Sequence, residues 1–179
     1  MTFQQILISV SCALAFTAYT VQAQTTQIST EYLMTLYAPL EAPQQIDNTL
    51  FIYTIPPGVE GWVKGPKIKG RIIPPGGDWL QVMPAGNARI DARQTIKTND
   101  EALIYLSSNG IISYTKESWD RLMKGEVLTG EDHYFILSLT MQTSAEKYAW
   151  LNHVQCIGKV VETKLGETAF VKYDIYVVR

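Results

Sequence analysis

Residues 88–107 read ARIDARQTIKTNDEALIYLS. In an extended chain Ile90, Ala92, Ile96 and Thr98 share one face, and Arg89, Asp91, Arg93, Thr95 and Lys97 share the other. Asn99-Asp100-Glu101 interrupts this run, and residues 102–107 resume a β-rich composition. So short a connector makes a hairpin, and a hairpin makes the pairing antiparallel, because parallel strands need a crossover of about a dozen residues or more.

The same rhythm extends in both directions. Candidate strands cover 32–39, 49–55, 62–73, 79–83, 88–98, 102–107, 134–142, 149–161 and 168–178. Turn signals separate them: Pro56-Pro57-Gly58, Pro74-Pro75-Gly76-Gly77, Pro84-Ala85-Gly86-Asn87 and Asn109-Gly110, with a second tight hairpin at Leu165-Gly166-Glu167. Short strands between regular turns are the pattern of an all-β sandwich or barrel. One helix is predicted near residues 116–124 (KESWDRLMK), with Thr115 as N-cap, Glu117 in the first turn, Gly125 after the end, and Trp119, Leu122 and Met123 on one face. That face caps the core or lies over a pocket.

The first 23 residues, MTFQQILISVSCALAFTAYTVQA, read as a signal peptide. The apolar stretch from Ile6 to Ala18 is shorter than the roughly 20 residues a bilayer requires, and Val21-Gln22-Ala23 puts small residues where a signal peptidase cuts. The competing reading is an uncleaved anchor. No basic block follows the apolar stretch, the first Lys or Arg being Lys64, so stable membrane insertion after signal removal is not expected. Residues 24–30 are expected to form a flexible arm, and 31–179 one domain. The expected location is the secretory lumen or outside the cell. Cys12 would leave with the signal, so Cys156 would be a lone thiol.

Composition excludes several functions. With 46% hydrophobic and 18% charged residues the chain can bury a full core. Fifteen Lys+Arg against 17 Asp+Glu supply no drive towards nucleic acid. Two Cys and 2 His make no zinc site of ordinary spacing, and no metal is expected. His153 and Cys156, three apart on one predicted strand, would face opposite ways. No nucleophile elbow, phosphate loop or dinucleotide fingerprint occurs, so no cofactor is expected.

A few side chains could carry chemistry. Asp78 follows two glycines, and it either caps a turn or directs a carboxyl into a cavity as an acid/base. Asp91 and Arg93 share a strand face. Exposed, they are an ordinary ion pair; in a barrel mouth they could orient a carbonyl or enolate oxygen. Trp79, Tyr105, Gln142, Tyr148, Trp150 and Asn152 are candidate ligand contacts, the last three grouped on one face by two-residue spacing.

Six clusters stand in order: Gly65-Pro66-Lys67-Ile68-Lys69-Gly70, Gly76-Gly77-Asp78-Trp79, Asp91-Ala92-Arg93, residues 98–105 (TNDEALIY), Tyr134-Phe135, and Tyr148-Ala149-Trp150-Leu151-Asn152. From about Tyr32 onward the chain resembles the family called domain of unknown function three-two-three-seven. That resemblance implies a calycin-like, antiparallel up-and-down β-barrel with an interior cavity, and by analogy a role in specialised metabolism. It also favours Asp91 and Arg93 at the cavity. Two departures stand out: Glu101 occupies a position where the family usually has Gly, and Gln142 one where it usually has Glu. Gln142 cannot ionise, though it can still hydrogen-bond a ligand.

The expected function is binding of a small apolar molecule inside the barrel, with cofactor-free cyclisation, isomerisation or dehydration by Asp78, Asp91 and Arg93. The alternatives are a non-catalytic carrier like the lipocalins and a secreted module with a filled barrel that acts through its surface. Exposed strand edges would permit a homo-oligomer.

Overall fold

A computed structural model of the chain describes residues 27–83 and 86–179. The leader at 1–23 and Cys12 lie outside the described residues. The strands are β1 (Thr30–Pro39), β2 (Gln44–Gln45), β3 (Leu50–Thr54), β4 (Gly61–Lys64), β5 (Lys69–Met83), β6 (Asn87–Thr98) and β7 (Leu103–Ser113). Helix α1 (Lys116–Met123) follows, then β8 (Leu128–Thr129), β9 (Tyr134–Gln142), a 3-10 helix (Glu146–His153), β10 (Cys156–Lys164) and β11 (Phe170–Val178). All ladders are antiparallel. In the order β5-β4-β1-β11-β10-β9-β7-β6 the sheet closes on itself through β5 and β6, giving an eight-stranded barrel. The small β2–β3 flap pairs with the upper part of β5.

Three predicted boundaries move. Pro74-Pro75-Gly76 does not end a strand. It lies within β5 as a bulge, where the β5–β6 register shifts between Ile73 and Gly77. A bulged residue needs no ladder partner, so proline's missing N–H costs nothing there. Asn109-Gly110 is likewise not a turn but the middle of β7. Gly110 is required there by close approach of β9: a Cβ would stand 2.5 Å from the Ile136 carbonyl oxygen. Residues 149–153 are not strand. They complete the 3-10 helix, whose period of three buries Tyr148 and Leu151. The two-residue grouping of Tyr148, Trp150 and Asn152 therefore fails, as does the placing of His153 on a strand with Cys156. Ser29 and Thr30, expected in a flexible arm, are held: Thr30 opens β1, and Ser29 exchanges backbone hydrogen bonds with Arg179 at 3.1 and 2.9 Å.

The barrel has two unlike ends. Around the 3-10 helix the interior is filled by Met34, Leu36, Ile96, Ile104, Leu106, Leu139 and Ile175, none of which is measurably exposed. Asp100 in the β6–β7 hairpin ties this end together. Its carboxylate receives the Tyr148 hydroxyl at 2.9 Å, the Thr98 hydroxyl and the Lys147 ammonium, which hold it far below the usual carboxylate range. Asn152 accepts the Thr143 N–H at 2.8 Å and donates to the Thr143 carbonyl at 2.9 Å, stapling the helix to the end of β9. Strand β1 starts and β11 finishes at this closed end. Helix α1 sits at the opposite end, with Thr115 accepting the Ser118 N–H at 3.1 Å as N-cap.

The hairpin 99–101 explains the first departure. Glu101 has φ of 67°, left-handed backbone that glycine enters freely and an L-side chain enters at a cost of about 1 kcal/mol or more. Glu101→Gly is expected to raise the urea midpoint by the equivalent of about 0.5–1 kcal/mol. A destabilised variant would mean that the Lys97–Glu101 ion pair outweighs the backbone strain.

Candidate functional site

The end bearing α1 is hollow. A cavity of about 940 Å³ opens there, within the size range of sites for drug-sized molecules. Its rim is formed by residues 40–43, Asn48, Gly86, the β10–β11 hairpin at Leu165 and Gly166, and α1 through Lys116, Trp119 and Met123. Of the predicted apolar face of α1, only Leu122 is buried; Trp119 and Met123 are exposed at the mouth. The walls are mostly aliphatic and aromatic.

The register sets the polar groups. On the inner face, Tyr53 of β3 lies opposite Asp78 of β5, Asp78 opposite Ala92 of β6, Ala92 opposite Ser108 of β7, and Ser108 opposite Leu139 of β9. This row crosses five strands obliquely, from the cavity at Asp78 down to the packed core at Leu139. Two residues further along β6, Gln94 points the same way, and its Oε1 receives the Tyr173 hydroxyl at 3.3 Å from across the barrel. That pair marks the floor between cavity and packed core. Tyr114, at the end of β7, faces in near the mouth, its ring stacked 5.2 Å from the buried His133.

Asp78 is the one acidic side chain inside this wall; the other charged lining residues, Glu41 and Lys116, sit at the rim. Its Oδ1 accepts the Asp91 backbone N–H at 3.1 Å. Burial raises its pKa to about 7, with a further push from the nearby Asp91 carboxylate and partial relief from that hydrogen bond. Burial also holds Tyr53, Tyr114 and Tyr173 above the ordinary phenol range, with Asp78 adding to the shift at Tyr53 and Tyr173. All three phenols are therefore neutral donors at physiological pH.

Of the predicted site residues, only Asp78 lines the cavity. Asp91 and Arg93 point outward, with side chains 44% and 47% exposed, and pair with each other at 2.8 Å. Strand parity requires this: Ile90, Ala92 and Gln94 face in, so 91 and 93 face out. Trp79 and Tyr105 are exposed on the same outer wall, the Arg93 guanidinium standing 5.9 Å from the Trp79 ring. Gln142 lies opposite Tyr105 and is also exposed. Tyr148, Trp150 and Asn152 belong to the closed end. The six clusters thus mark four cavity residues (Gly77, Asp78, Ala92 and Phe135), an outer-wall patch and a structural plug. Sequence reading missed Tyr53, Gln94, Ser108, Tyr114 and Tyr173. The available signal was Gln94, a polar residue in the otherwise apolar file of Ile90, Ala92 and Ile96. Cys156 is buried, which lifts its thiol to about 11 and leaves it protonated and unreactive.

Comparison with known proteins agrees with the architecture. The family model described as Protein of unknown function (DUF3237) matches residues 28–178. A UPF0311 protein of Clostridium acetobutylicum is 33% identical over 112 residues, 61% of this chain and 71% of that protein. The crystal structure of a β-barrel-like protein from Acinetobacter baumannii matches with a TM-score of 0.66 at 30% identity, covering 88% of this chain and 100% of the other. An enzyme from Penicillium herquei shares the fold, with a TM-score of 0.57 at 21% identity over 88% of this chain and 98% of that one.

Proposed function

This chain belongs to the DUF3237 family, which is defined by sequence and not by an activity, and from that premise we propose that its barrel binds a small, largely apolar molecule and catalyses a cofactor-free proton transfer on it. The observation that carries this reading is Asp78, among the described residues the only acidic side chain below the rim of an apolar, ligand-sized cavity, held by burial at a pKa of about 7. A carboxyl titrating near neutrality can both take and return a proton during turnover, which is what a general acid/base requires. Tyr53 on β3, Tyr173 on β11 and Gln94 on β6 face it, and the Asp91 carboxylate lies behind it on the outer wall. No cation among the described lining residues reaches it; Lys116 stays at the rim. The fold neighbour described as an enzyme is compatible with catalysis on this scaffold. Of the two carboxyls expected as acid/base, this reading keeps Asp78, and it gives Asp91 and Arg93, which point outward, no part in the chemistry.

The test begins with native mass spectrometry of protein isolated from its source, which identifies any co-purifying metabolite. That compound is then incubated with the wild type and with Asp78→Asn. Turnover by the wild type is expected to rise as pH passes through about 7, where Asp78 ionises to its basic form. Asp78→Asn is expected to lose about 100- to 10,000-fold. Recovery of the compound unaltered from the wild type would leave a carrier and refute the catalytic reading.

A further inference from the structure

The row that crosses Asp78 contains one gap. Ala92 presents only a methyl group, while its neighbours on either side carry functional groups: Asp78 on β5 and Ser108 on β7. Those flanking strands are separated by roughly 9–10 Å, two interstrand spacings. The result is a notch in the barrel wall, open to the cavity, with a carboxyl on one side and a hydroxyl on the other. Gln94 forms its lower edge.

The free hydrogen-bonding capacity around this notch is unequal. One Asp78 oxygen is occupied by the Asp91 N–H, and the other has no partner among the described residues. Gln94 gives its carbonyl oxygen to the Tyr173 hydroxyl, so its amide hydrogens remain for the cavity. Ser108, which lines the cavity, also has a hydroxyl hydrogen free for an acceptor. The notch therefore offers one proton acceptor on the β5 side and a set of neutral donors on the β6–β7 side. An anionic ligand would meet no cation here, and an ammonium group would leave the donors unused. A neutral group with an acidic hydrogen next to an oxygen that gains charge uses both sides.

We propose that the notch over Ala92 holds an enolisable carbonyl group of a neutral substrate, with Asp78 removing the proton and Gln94 Nε2 and Ser108 Oγ hydrogen-bonding the oxygen that becomes negative. In this step the C–H bond next to the carbonyl breaks and its proton moves to Asp78. Its electron pair becomes the C=C bond of the enolate, and the carbonyl π pair moves onto oxygen. Where the substrate also carries a C=C bond β,γ to the carbonyl, the enolate is a dienolate, and return of the same proton to its γ carbon completes an isomerisation without any external reductant or oxidant. Tyr173 is a positioning residue: it fixes the Gln94 amide so that its hydrogens face the notch. This inference rests on the cavity proposed above and specifies what the cavity recognises.

The test uses 4-nitrophenol and 2-naphthol as stable mimics of an enol and its oxyanion. In Asp78→Asn, which imitates the protonated carboxyl after proton removal, bound 4-nitrophenol is expected to show the phenolate absorption at pH values where the free compound is still the phenol. Adding Gln94→Met, close to isosteric but without donors, or Ser108→Ala, is expected to weaken phenolate binding about tenfold each, the worth of one hydrogen bond to charge. Neutral 2-naphthol should be nearly unaffected by either. Ala92→Leu, which fills the notch, should remove binding of both. A thermal melt of each variant separates misfolding from loss of the site. If Gln94→Met and Ser108→Ala leave phenolate binding and the bound pKa unchanged, the inference is overturned and the apolar cavity still stands. If neither phenol binds the wild type or any folded variant, the inference and the cavity reading fall together.

Discussion

Asp78→Asn is expected to stabilise this protein above pH 7 by up to about 4 kcal/mol and to flatten its stability between pH 4 and pH 7. The carboxyl pKa is about 7 in the folded chain against 3.8 for the free group. Below pH 4 both folded and unfolded chains hold the proton, and burial costs the neutral carboxyl little. Between pH 4 and pH 7 the unfolded chain releases it while the folded chain keeps it, so stability falls as pH rises. Above pH 7 both are ionised and the full penalty remains. A raised folded pKa thus means stability present at low pH and lost on going up. About three pKa units correspond to about 4 kcal/mol, an upper bound that water entering the cavity would reduce. Carboxylates whose folded pKa is lowered, such as Asp100 and Asp132, contribute with the opposite sign, losing stability as pH falls. The difference between wild type and variant cancels them. Urea unfolding at pH 5, 6, 7 and 8 measures this directly. Parallel curves for the two proteins would show that Asp78 is solvated, removing the reason to expect a poised acid/base.

Leu139→Ala and Leu137→Ala should differ sharply although the two residues share strand β9 and the same inner face. Leu139 is fully buried in the packed half, so truncation leaves a void that its neighbours cannot close, at about 2–5 kcal/mol. Leu137 is almost as buried by surface measure, at 2%, but it lines the cavity. Truncating it enlarges a space that already exists, so the cost is expected to be half as much or less, because fewer packing contacts are lost. Denaturant midpoints for the pair test whether the barrel is hollow at one end and solid at the other. Equal losses would mean that the upper half is packed.

The strand pattern was legible from the start because each hairpin carries its own period and turn chemistry. Alternation in 88–98 gave the correct faces for charge and core. The tight hairpins at 99–101 and 165–167 are where the sequence puts them. β5 and β6 form a hairpin, with Met83 opposite Asn87, but pairing across the closure, β1 with β11, depends on contacts between distant segments that no local window contains. That is also why the site was only partly legible. Asp78 does line the cavity, but Tyr53 reaches it from the flap strand β3, outside the ring, and Tyr173 from β11, whose place is set by the closure. Asp91 and Arg93 face outward, as strand parity requires, although the family likeness favours them at the cavity. The strand placing of Tyr148, Trp150 and Asn152 fails because five residues cannot separate a period of two from a period of three.

The backbone pairing of Ser29 with Arg179 has a practical corollary. Ser29 and Arg179 lie side by side on the side remote from the cavity mouth, so a segment joined directly to either starts away from it. A purification handle, a fluorescent fusion or a covalent tether to a sensor chip, placed at either terminus, would leave solute access to the barrel unobstructed. The adjacency of these ends also permits a circularly permuted chain, joined there by a short linker and reopened at the loop after Gly58 on the β3–β4 connection.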